Sequence, residues 1–560
     1  MLLRRLFFLA LILLCDRASA QISPSIPAEV RKAMEQLAKE PFRAHMAFLA
    51  ADLLEGRGTG TRGQELAARY VAAQFEVLGL TPAGTAGTFY QRVPLREVTV
   101  VPERCSVTLT ENGNRVNLKW GEDFIAPGSA VREDTEVEAP VVFVGYGVTT
   151  PDGSYDDYAG VDAKGKIVAY LSGAPPSLPG ELRAHVGAFR EKMRRAVAHG
   201  AVGNIVLRPP QQDAILPWAR SVIGMRFPSM RWLGPDSRPS DTFAEMRGGA
   251  ALSTAASERV FQHASKSWEQ VLSDAAGSKP QSFDLPIKAK IQVVSRHRET
   301  DSPNVVAVLP GSDPSLKSEY VVYSAHTDHL GIGPPINGDS IYNGAADDAS
   351  GVAALLVLAK AFKSLPHPPA RSILFLATTA EEKGLLGADY FAEFPTVPRK
   401  SLVADLNMDG ASVFYTFDEV VALGGPSSSL NGVIERDATL LGLKLIPDPQ
   451  PEQLGFVRND EYSFVRRGVP AVLLGEGLHA RDPKVDSKKL SDDYVRLHYH
   501  APSDDMSQHF DFDASVQFMQ MNFLVGYDVA RAPDLEQERF LRQNLWTRMT
   551  LREQSFEAGP

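Results

Sequence analysis

The chain has 560 residues, of which 44% are apolar, so it can bury sizeable cores and is not a disordered protein. Its 58 basic and 68 acidic residues give a net charge of -10 with no long block of either sign, which argues against nucleic-acid binding. A chain of this length has room for roughly two to four domains.

Residues 1–20 read as a secretory signal peptide. Two arginines precede an apolar run that ends at Leu14, and a small-residue cleavage site ends at Ala20. The run is about half of the ~20 residues that a membrane-spanning helix needs, so no stable membrane insertion is expected after cleavage. Cys15 is the residue that lipidation would use, but the large Leu14 before it does not fit a lipobox. Cleavage leaves Cys105 as the only cysteine, which excludes an intramolecular disulfide. The expected location is secreted or periplasmic.

The next segment, residues 21–97, is predicted to be helical. Apolar residues at helical spacing predict one helix over Ala28–Ala51 and a second over Gln64–Leu78. The sequence LLEGRGTGTRG between them predicts a loop, in which Arg57 and Arg62 are expected to be solvated.

In residues 98–285 the sequence pattern changes to short β-like runs separated by turns. Three histidines are scattered through them without any catalytic grouping, and they are interpreted as ordinary surface or core residues: His185, His199 and His263. The stretch LPWARSVIGMRFPSMRWLG is apolar and aromatic enough to pack on the rest of the protein. This segment is predicted to cover or shape a cleft.

In residues 286–535, polar side chains follow strand-like runs. The runs and the side chains after them are Tyr320–Ala325 with His326, Ser372–Thr378 with Glu381 and Glu382, the run before LNMDG with Asp409, and Val469–Leu474 with His498 and His500. Asp347 and Asp348 precede an apolar helix predicted over Gly351–Phe362. If the strands lie side by side, these side chains meet at one edge of the sheet.

Each of these features also has a simpler explanation. A histidine after a strand is usually packed or solvated, and the Asp347-Asp348 pair fits a helix cap. Thr379 and Glu382 have the spacing of a capping box. The order of the whole set indicates a metal site instead, because zinc binds imidazole nitrogen and carboxylate oxygen.

The motifs SAHTDHLGIG, YNGAADDASG, TAEEKGLLG, LNMDG and YHAPSDD resemble the ordered motifs of the two-zinc exopeptidases. That family includes aminopeptidase Y, bacterial leucyl aminopeptidases and glutamate carboxypeptidases. APVVFVGYG and DDYAGVDAKGKIVAYL resemble a protease-associated domain, a common insert in these peptidases. The resemblance implies an α/β protein: a mixed-sheet α/β/α sandwich with a β-rich insert. The predicted segments are the signal peptide 1–20, peptidase parts 21–97 and 286–535, the insert 98–285 and a loosely docked tail 536–560.

The resemblance also implies the roles of the site residues. One zinc is assigned to His326 and Asp409, a second to Glu382 and His500, with Asp347 bridging both and Glu381 as general base. Two zinc ions per chain are thus expected.

Further residues near these motifs are weaker candidates. Tyr499 is a candidate hydrogen-bond donor to the developing oxyanion. Asp328 and Asp504 are candidate acceptors that would orient the ligand histidines. Asp460 is a candidate contact for a substrate amine. The resemblance further implies a cis peptide bond after Asp347.

The function that follows is a zinc-dependent exopeptidase, foremost an aminopeptidase that removes N-terminal residues from peptides through a metal-activated water. The alternatives are a carboxypeptidase or dipeptidase on the same scaffold, and a non-catalytic receptor-like binding protein. Intact ligands disfavour the receptor, and His326 with Asp409 disfavour a single-zinc glutaminyl cyclase. The expected partner is a peptide substrate and not nucleic acid. The sequence leaves the oligomeric state open.

Overall fold

The computed structural model describes residues 25–277, 279 and 282–532. The predicted signal peptide, Cys15 and the tail 536–560 lie outside the described residues. Within them, no helix has both the length and the apolar character needed to cross a membrane.

Fifteen α-helices lie within the described residues. They are α1 (Ala28–Met34), α2 (Lys39–Leu49), α3 (Arg62–Val77), α4 (Gly180–Gly187), α5 (Phe189–Ala198), α6 (Pro210–Ile215), α7 (Trp218–Gly224), α8 (Thr254–Arg259), α9 (Trp268–Ala276), α10 (Ser350–Lys363), α11 (Leu386–Glu393), α12 (Leu430–Leu440), α13 (Glu461–Val465), α14 (Ser487–Asp493) and α15 (Phe512–Arg531).

The strands of the described residues form two connected sheets and a hairpin. They are β1 (Thr81–Pro82), β2 (Tyr90–Val100), β3 (Ser106–Glu111), β4 (Asn114–Leu118), β5 (Phe124–Ile125), β6 (Asp134–Val144), β7 (Ile167–Leu171), β8 (Gly203–Leu207), β9 (Ser229–Trp232), β10 (Gly249–Leu252), β11 (Ser282–Leu309), β12 (Tyr320–His326), β13 (Gly331–Ile336), β14 (Asp339–Tyr342), β15 (Ser372–Thr378), β16 (Leu402–Asn407), β17 (Glu419–Leu423), β18 (Lys444–Ile446) and β19 (Ala471–Glu476).

The main sheet is mixed and runs in the order β9-β2-β11-β15-β12-β16-β19-β17-β18. Its centre, β15-β12-β16-β19, is parallel. Buried parallel strands are apolar on both faces, and β15 is buried throughout. The carboxyl ends of the four central strands therefore lie along one edge, where ligands bind in open α/β sheets.

Helices cover both faces of the main sheet. Alternate residues of β12 point to opposite faces, as the two-residue period of a strand requires. Tyr323 packs in a core with α2, α3, α10 and α15, whereas Val322 packs in a separate core with Phe391 of α11 and Phe464 of α13. The main sheet is thus the middle layer of the predicted α/β/α sandwich.

The second sheet has the order β4-β3-β11-β6-β7-β8-β10-β5 and its own buried core. It lies within the segment predicted as a β-rich insert. The boundaries 98–285 and the protease-associated assignment stay predictions.

One strand, β11, belongs to both sheets. Its first half pairs with β3 and β6 of the second sheet, and its second half pairs with β2 and β15 of the main sheet. A 28-residue strand therefore joins the two parts of the molecule without a linker.

The helix predicted over Ala28–Ala51 is instead two helices, α1 and α2. Pro41 explains the break, because in a continuous helix its ring would clash with the carbonyl of Leu37 and its nitrogen could not donate. In the structure Pro41 lies in the first turn of α2, where proline is tolerated.

Candidate metal centre

The site lies at the carboxyl edge of the main sheet. His326 is the last residue of β12, Glu381 and Glu382 follow β15, and Asp409 follows β16. His500 comes from the loop between α14 and α15 and completes the set from outside the sheet. The structure therefore brings together all of the predicted ligands.

The first donor set surrounds the ring of His326. Its Nε2 lies 3.2 Å from Asp347 Oδ1, 3.5 Å from Asp409 Oδ1 and 3.8 Å from Glu381 Oε2. The histidine is fully buried, and His326, Glu381 and Asp409 form a group whose donor atoms could hold a metal ion.

The second donor set surrounds His500. Its Nε2 lies 3.2 Å from Asp347 Oδ2 and 3.1 Å from Glu382 Oε2. Although burial lowers its pKa, the carboxylates of Glu382 and Asp347 raise the pKa of His500 to about 10 in the absence of a cation. Asp347 therefore presents one oxygen to each histidine, which is the arrangement of a bridging carboxylate.

Neighbouring carboxylates hold the backbone at Asp347 and at His326. Asp504 accepts hydrogen bonds from the backbone N–H groups of Ala346 and Asp347 at 3.0 and 3.1 Å. Asp348 accepts from the backbone N–H of His326 at 3.1 Å. The peptide bond between Asp347 and Asp348 is cis, as the resemblance implies. The predicted role of Asp504 is corrected accordingly, because it holds backbone and not a histidine ring.

Asp328 also differs from its predicted role. The Nδ1 of His326 lies 3.0 Å from the backbone carbonyl of Asp328, while the carboxylate is at 3.9 Å. That carboxylate instead accepts from the Thr59 hydroxyl at 2.7 Å and from the Glu381 N–H at 3.1 Å. The main chain fixes the ring of His326, and the side chain of Asp328 fixes the turn that carries Glu381.

His329 is a site residue that the sequence reasoning missed. Its Nδ1 lies 2.5 Å from Glu382 Oε1 and 3.9 Å from Asp347 Oδ2, and its side chain is fully buried. His329, Asp347 and Glu382 form the second group that could hold a metal ion. Gly344 makes room for this ring, because a Cβ there would lie 2.6 Å from His329 Cγ. The signal was present in the sequence, since His329 stands three residues after His326.

Arg57 is not solvated as predicted, and its side chain lies beneath the centre with 1% exposure. Its guanidinium donates to the backbone carbonyls of Leu49, Thr327, Asn343 and Gly344 at 2.6 to 2.9 Å. Two of these carbonyls directly precede the segment of Asp347, and one directly follows His326. Arg57 thereby ties together the turns that carry two predicted ligands. Arg62 is exposed and pairs with Glu55.

The donor atoms fit zinc. Bonds of about 2.0–2.1 Å place the corners of a zinc tetrahedron roughly 3.3–3.4 Å apart, close to the separations around His326 and His500. The buried His326 Nε2 and Glu382 Oε1 have no hydrogen bond of acceptable geometry within the described part of the chain. Buried polar atoms without partners are costly, and a cation in each donor set would satisfy them.

Glu381 is placed to move protons next to the donors. Burial raises its pKa well above the ordinary value, against the lowering effect of His326, and Asp409 and Glu382 raise it further. Glu381, Asp347 and Asp409 line a cavity beside the centre. A carboxylate with a raised pKa that faces a cleft is suited to general acid–base chemistry.

Tyr499 lies at the mouth of the centre. Its ring stacks on His500 with 3.9 Å between ring centroids, and its hydroxyl accepts a hydrogen bond from Arg458 Nη2 at 2.9 Å. The hydroxyl proton remains available for donation, because Arg458 supplies only a donor.

Two other candidates do not reach the centre. Asp460 has 1% exposure and accepts a hydrogen bond from the Thr378 hydroxyl, so it cannot contact a substrate amine in this arrangement. His498 is half-buried and its ring contacts Ser503.

Comparison with known proteins identifies the domain that carries this centre. Residues 304–524 match the family model described as Peptidase family M28. The chain carries a peptidase family M28 domain. The matched residues of this M28 domain run from β11 to α15 and include every predicted metal ligand.

Curated relatives agree with this result. Over 234 residues the chain is 28% identical to "Probable leucine aminopeptidase 2" of Aspergillus fumigatus, covering 40% of this chain and 43% of the relative. Over 107 residues it is 40% identical to "Probable zinc metalloprotease" of Pyrenophora teres f. teres, covering 19% of this chain and 22% of the relative. The chain thus spans less than half the length of these relatives.

A solved structure supports the fold. The aminopeptidase from Aneurinibacillus sp. strain AM-1 superposes with a TM-score of 0.53 at 18% identity, covering 90% of this chain and 97% of that one. The predicted α/β fold class is therefore confirmed.

Proposed function

We propose that the protein is a zinc-dependent exopeptidase, and specifically an aminopeptidase that removes N-terminal residues from peptides. One observation carries the proposal: the two oxygens of Asp347 face His326 and His500 at 3.2 Å each, so that two donor sets share one carboxylate. This arrangement suits two metal ions, which in two-metal sites lie about 3.5–4 Å apart. The M28 domain and the relatives named for aminopeptidase and zinc metalloprotease activity support the same function.

The residues divide the work as follows. His326 and Asp409 would hold one zinc, Glu382 and His500 the other, with Asp347 bridging. Bound zinc supplies Lewis-acid chemistry, polarising the scissile carbonyl and making water more acidic.

The remaining steps belong to side chains of this chain. Glu381 takes a proton from the attacking water and returns it to the departing amine. The Tyr499 hydroxyl donates a hydrogen bond to the oxyanion that develops on the substrate. Arg458 fixes the direction of that hydroxyl.

The test compares aminoacyl reporters with carboxyl-terminal peptide reporters, using protein loaded with zinc and protein treated with a chelator. Aminoacyl reporters should be cleaved only with zinc. Glu381→Gln should lower kcat about 10²- to 10⁴-fold and keep the zinc content. The control is Glu435→Gln, the same change at an exposed position of α12. Cleavage of carboxyl-terminal reporters alone would favour the carboxypeptidase, and no cleavage of either with zinc present would favour the receptor-like alternative.

We also propose that the protein is exported and that residues 1–20 are removed. The sequence supports this through its charged, apolar and small-residue order. Mass spectrometry of exported protein should give an N-terminus at Gln21, and an N-terminus at Met1 would contradict export by cleavage.

A further inference from the structure

Two cavities meet the metal centre. The larger, of about 890 Å³, lies between the 209–229 segment and the M28 domain and reaches Glu382 and His500. The smaller, of about 360 Å³, reaches Asp347, Glu381 and Asp409. Each cavity thus opens on a different part of the ligand set.

The larger cavity is rich in cations. Arg183, Arg220, Lys383 and Arg458 line it, and the acidic side chains that the described part of the chain adds are the predicted ligand Glu382 and Glu452. We call it the cationic cavity. Its charge runs against that of the whole chain, which has a net charge of -10.

Carboxylates act on two of these cations only from beyond ion-pair distance: Glu382 on Lys383, and Glu381 and Asp409 on Arg458. Among residues 25–277, 279 and 282–532, none of the four side chains forms an ion pair. Arg220 donates instead to the backbone carbonyl of Tyr499, directly before His500. Lys383 Nζ lies over the ring of Phe227, 5.7 Å from its centroid, and directly follows the ligand Glu382. Cations that line a cleft without an ion-pair partner favour an anionic ligand.

The smaller cavity has the opposite charge. In addition to the carboxylates of the metal centre, Asp448 and Glu476 line it, and among the described residues Arg458 is the one cation in its lining. We call it the acidic cavity. A free peptide carries an amine at one end and a carboxylate at the other, so the two cavities together match its charges.

We propose that the cationic cavity binds a carboxylate on the carboxyl side of the scissile bond, foremost the C-terminal carboxylate of a short free peptide. The peptide's amine then lies toward the acidic cavity. The proposal rests on the aminopeptidase function proposed above. A volume of about 890 Å³ is suited to a ligand of this size, since ligand pockets typically span roughly 300–1,000 Å³.

The experiment measures kcat/KM for three peptides: Leu-Gly-Gly, its C-terminal amide, and Leu-Glu-Gly amide. The free acid should be cleaved about tenfold faster than its amide, or more, as one charge-assisted hydrogen bond provides. Leu-Glu-Gly amide distinguishes a side-chain carboxylate from a C-terminal one. If its kcat/KM is close to that of Leu-Gly-Gly, the cavity also accepts acidic side chains. If its kcat/KM is close to that of Leu-Gly-Gly amide, the cavity accepts the C-terminal carboxylate alone.

Arg220→Gln and Lys383→Gln should each lower the ratio of the free-acid to the amide kcat/KM, with zinc content measured in parallel. The matched control is Arg226→Gln, because Arg226 is exposed in the same segment and does not line the cavity. Equal rates for all three peptides, or a ratio unchanged in both variants, would overturn the carboxylate site and leave the aminopeptidase function standing. If none of the peptides is cleaved, the proposed function itself fails.

Discussion

The burial of Arg57 leads to a sharp prediction about stability and metal binding. Its guanidinium is the donor for four backbone carbonyls in three separate segments of the chain. Arg57→Met keeps much of the side-chain volume but removes every one of these hydrogen bonds. The turns after His326 and before Asp347 then lose their common anchor.

The size of the effect follows from the number of carbonyls. A buried polar group left without a partner costs about 1–3 kcal/mol. Taking about 1 kcal/mol for each of the four carbonyls, Arg57→Met should lower the free energy of unfolding by about 4 kcal/mol. That is a large part of the roughly 5–15 kcal/mol of a typical domain. Arg57→Lys should lose less, because its ammonium keeps three donors and the charge.

The assay is urea denaturation of the zinc-loaded protein, together with zinc content by elemental analysis. We expect both variants to unfold at a lower urea concentration than the unsubstituted protein, Arg57→Met at the lowest. Each should also have a lower zinc content. The control is Arg62→Met, five positions along, where the side chain is 70% exposed. A loss below about 1 kcal/mol in Arg57→Met, with normal zinc content, would refute the reasoning.

Four more predictions follow from the site and the core. Glu382→Gln should lower the zinc content as well as turnover, because a neutral amide oxygen is a weaker ligand; full zinc content would contradict this. His329→Ala should also lower the zinc content, since its Nδ1 contacts Glu382, and elemental analysis checks it. Tyr499→Phe should lower kcat about tenfold or more while zinc content stays normal, as single-turnover kinetics would show. Asp437 has its pKa raised to about 7 by burial and by nearby Asp528, so the folded state binds the extra proton. Its contribution to stability should therefore fall as pH rises from about 4 to 7, and Asp437→Asn should flatten urea midpoints measured across that range.

Strand ends were the part of the site that the sequence could predict. The runs before His326 and Glu381 are apolar on both faces, and they form β12 and β15 with bounds that match the prediction to within one residue. The helix predicted over Gly351–Phe362 is α10. Such features depend on local pattern, which a single sequence contains.

A single sequence could not predict the contacts between turns that lie far apart along the chain. Arg57 and its partner Asn343 are 286 positions apart, and nothing in a glycine-rich loop indicates that its arginine is buried. The ring of His326 bonds to a backbone carbonyl that every residue possesses, so the sequence could not distinguish it from the carboxylate of Asp328. Pro41, in contrast, is a local signal, and the break that it causes in the predicted helix could have been predicted from the sequence.

The long strand β11 has a consequence for any attempt to remove the second sheet. Residues 282–294 of β11 pair with β6, so deleting residues 131–278 would strip that partner from a strand that remains anchored in the main sheet. The uncovered N–H and C=O groups would form a long, free sheet edge, which is a template for pairing with another chain. A shortened protein of this kind would be prone to self-association whatever the state of its metal centre.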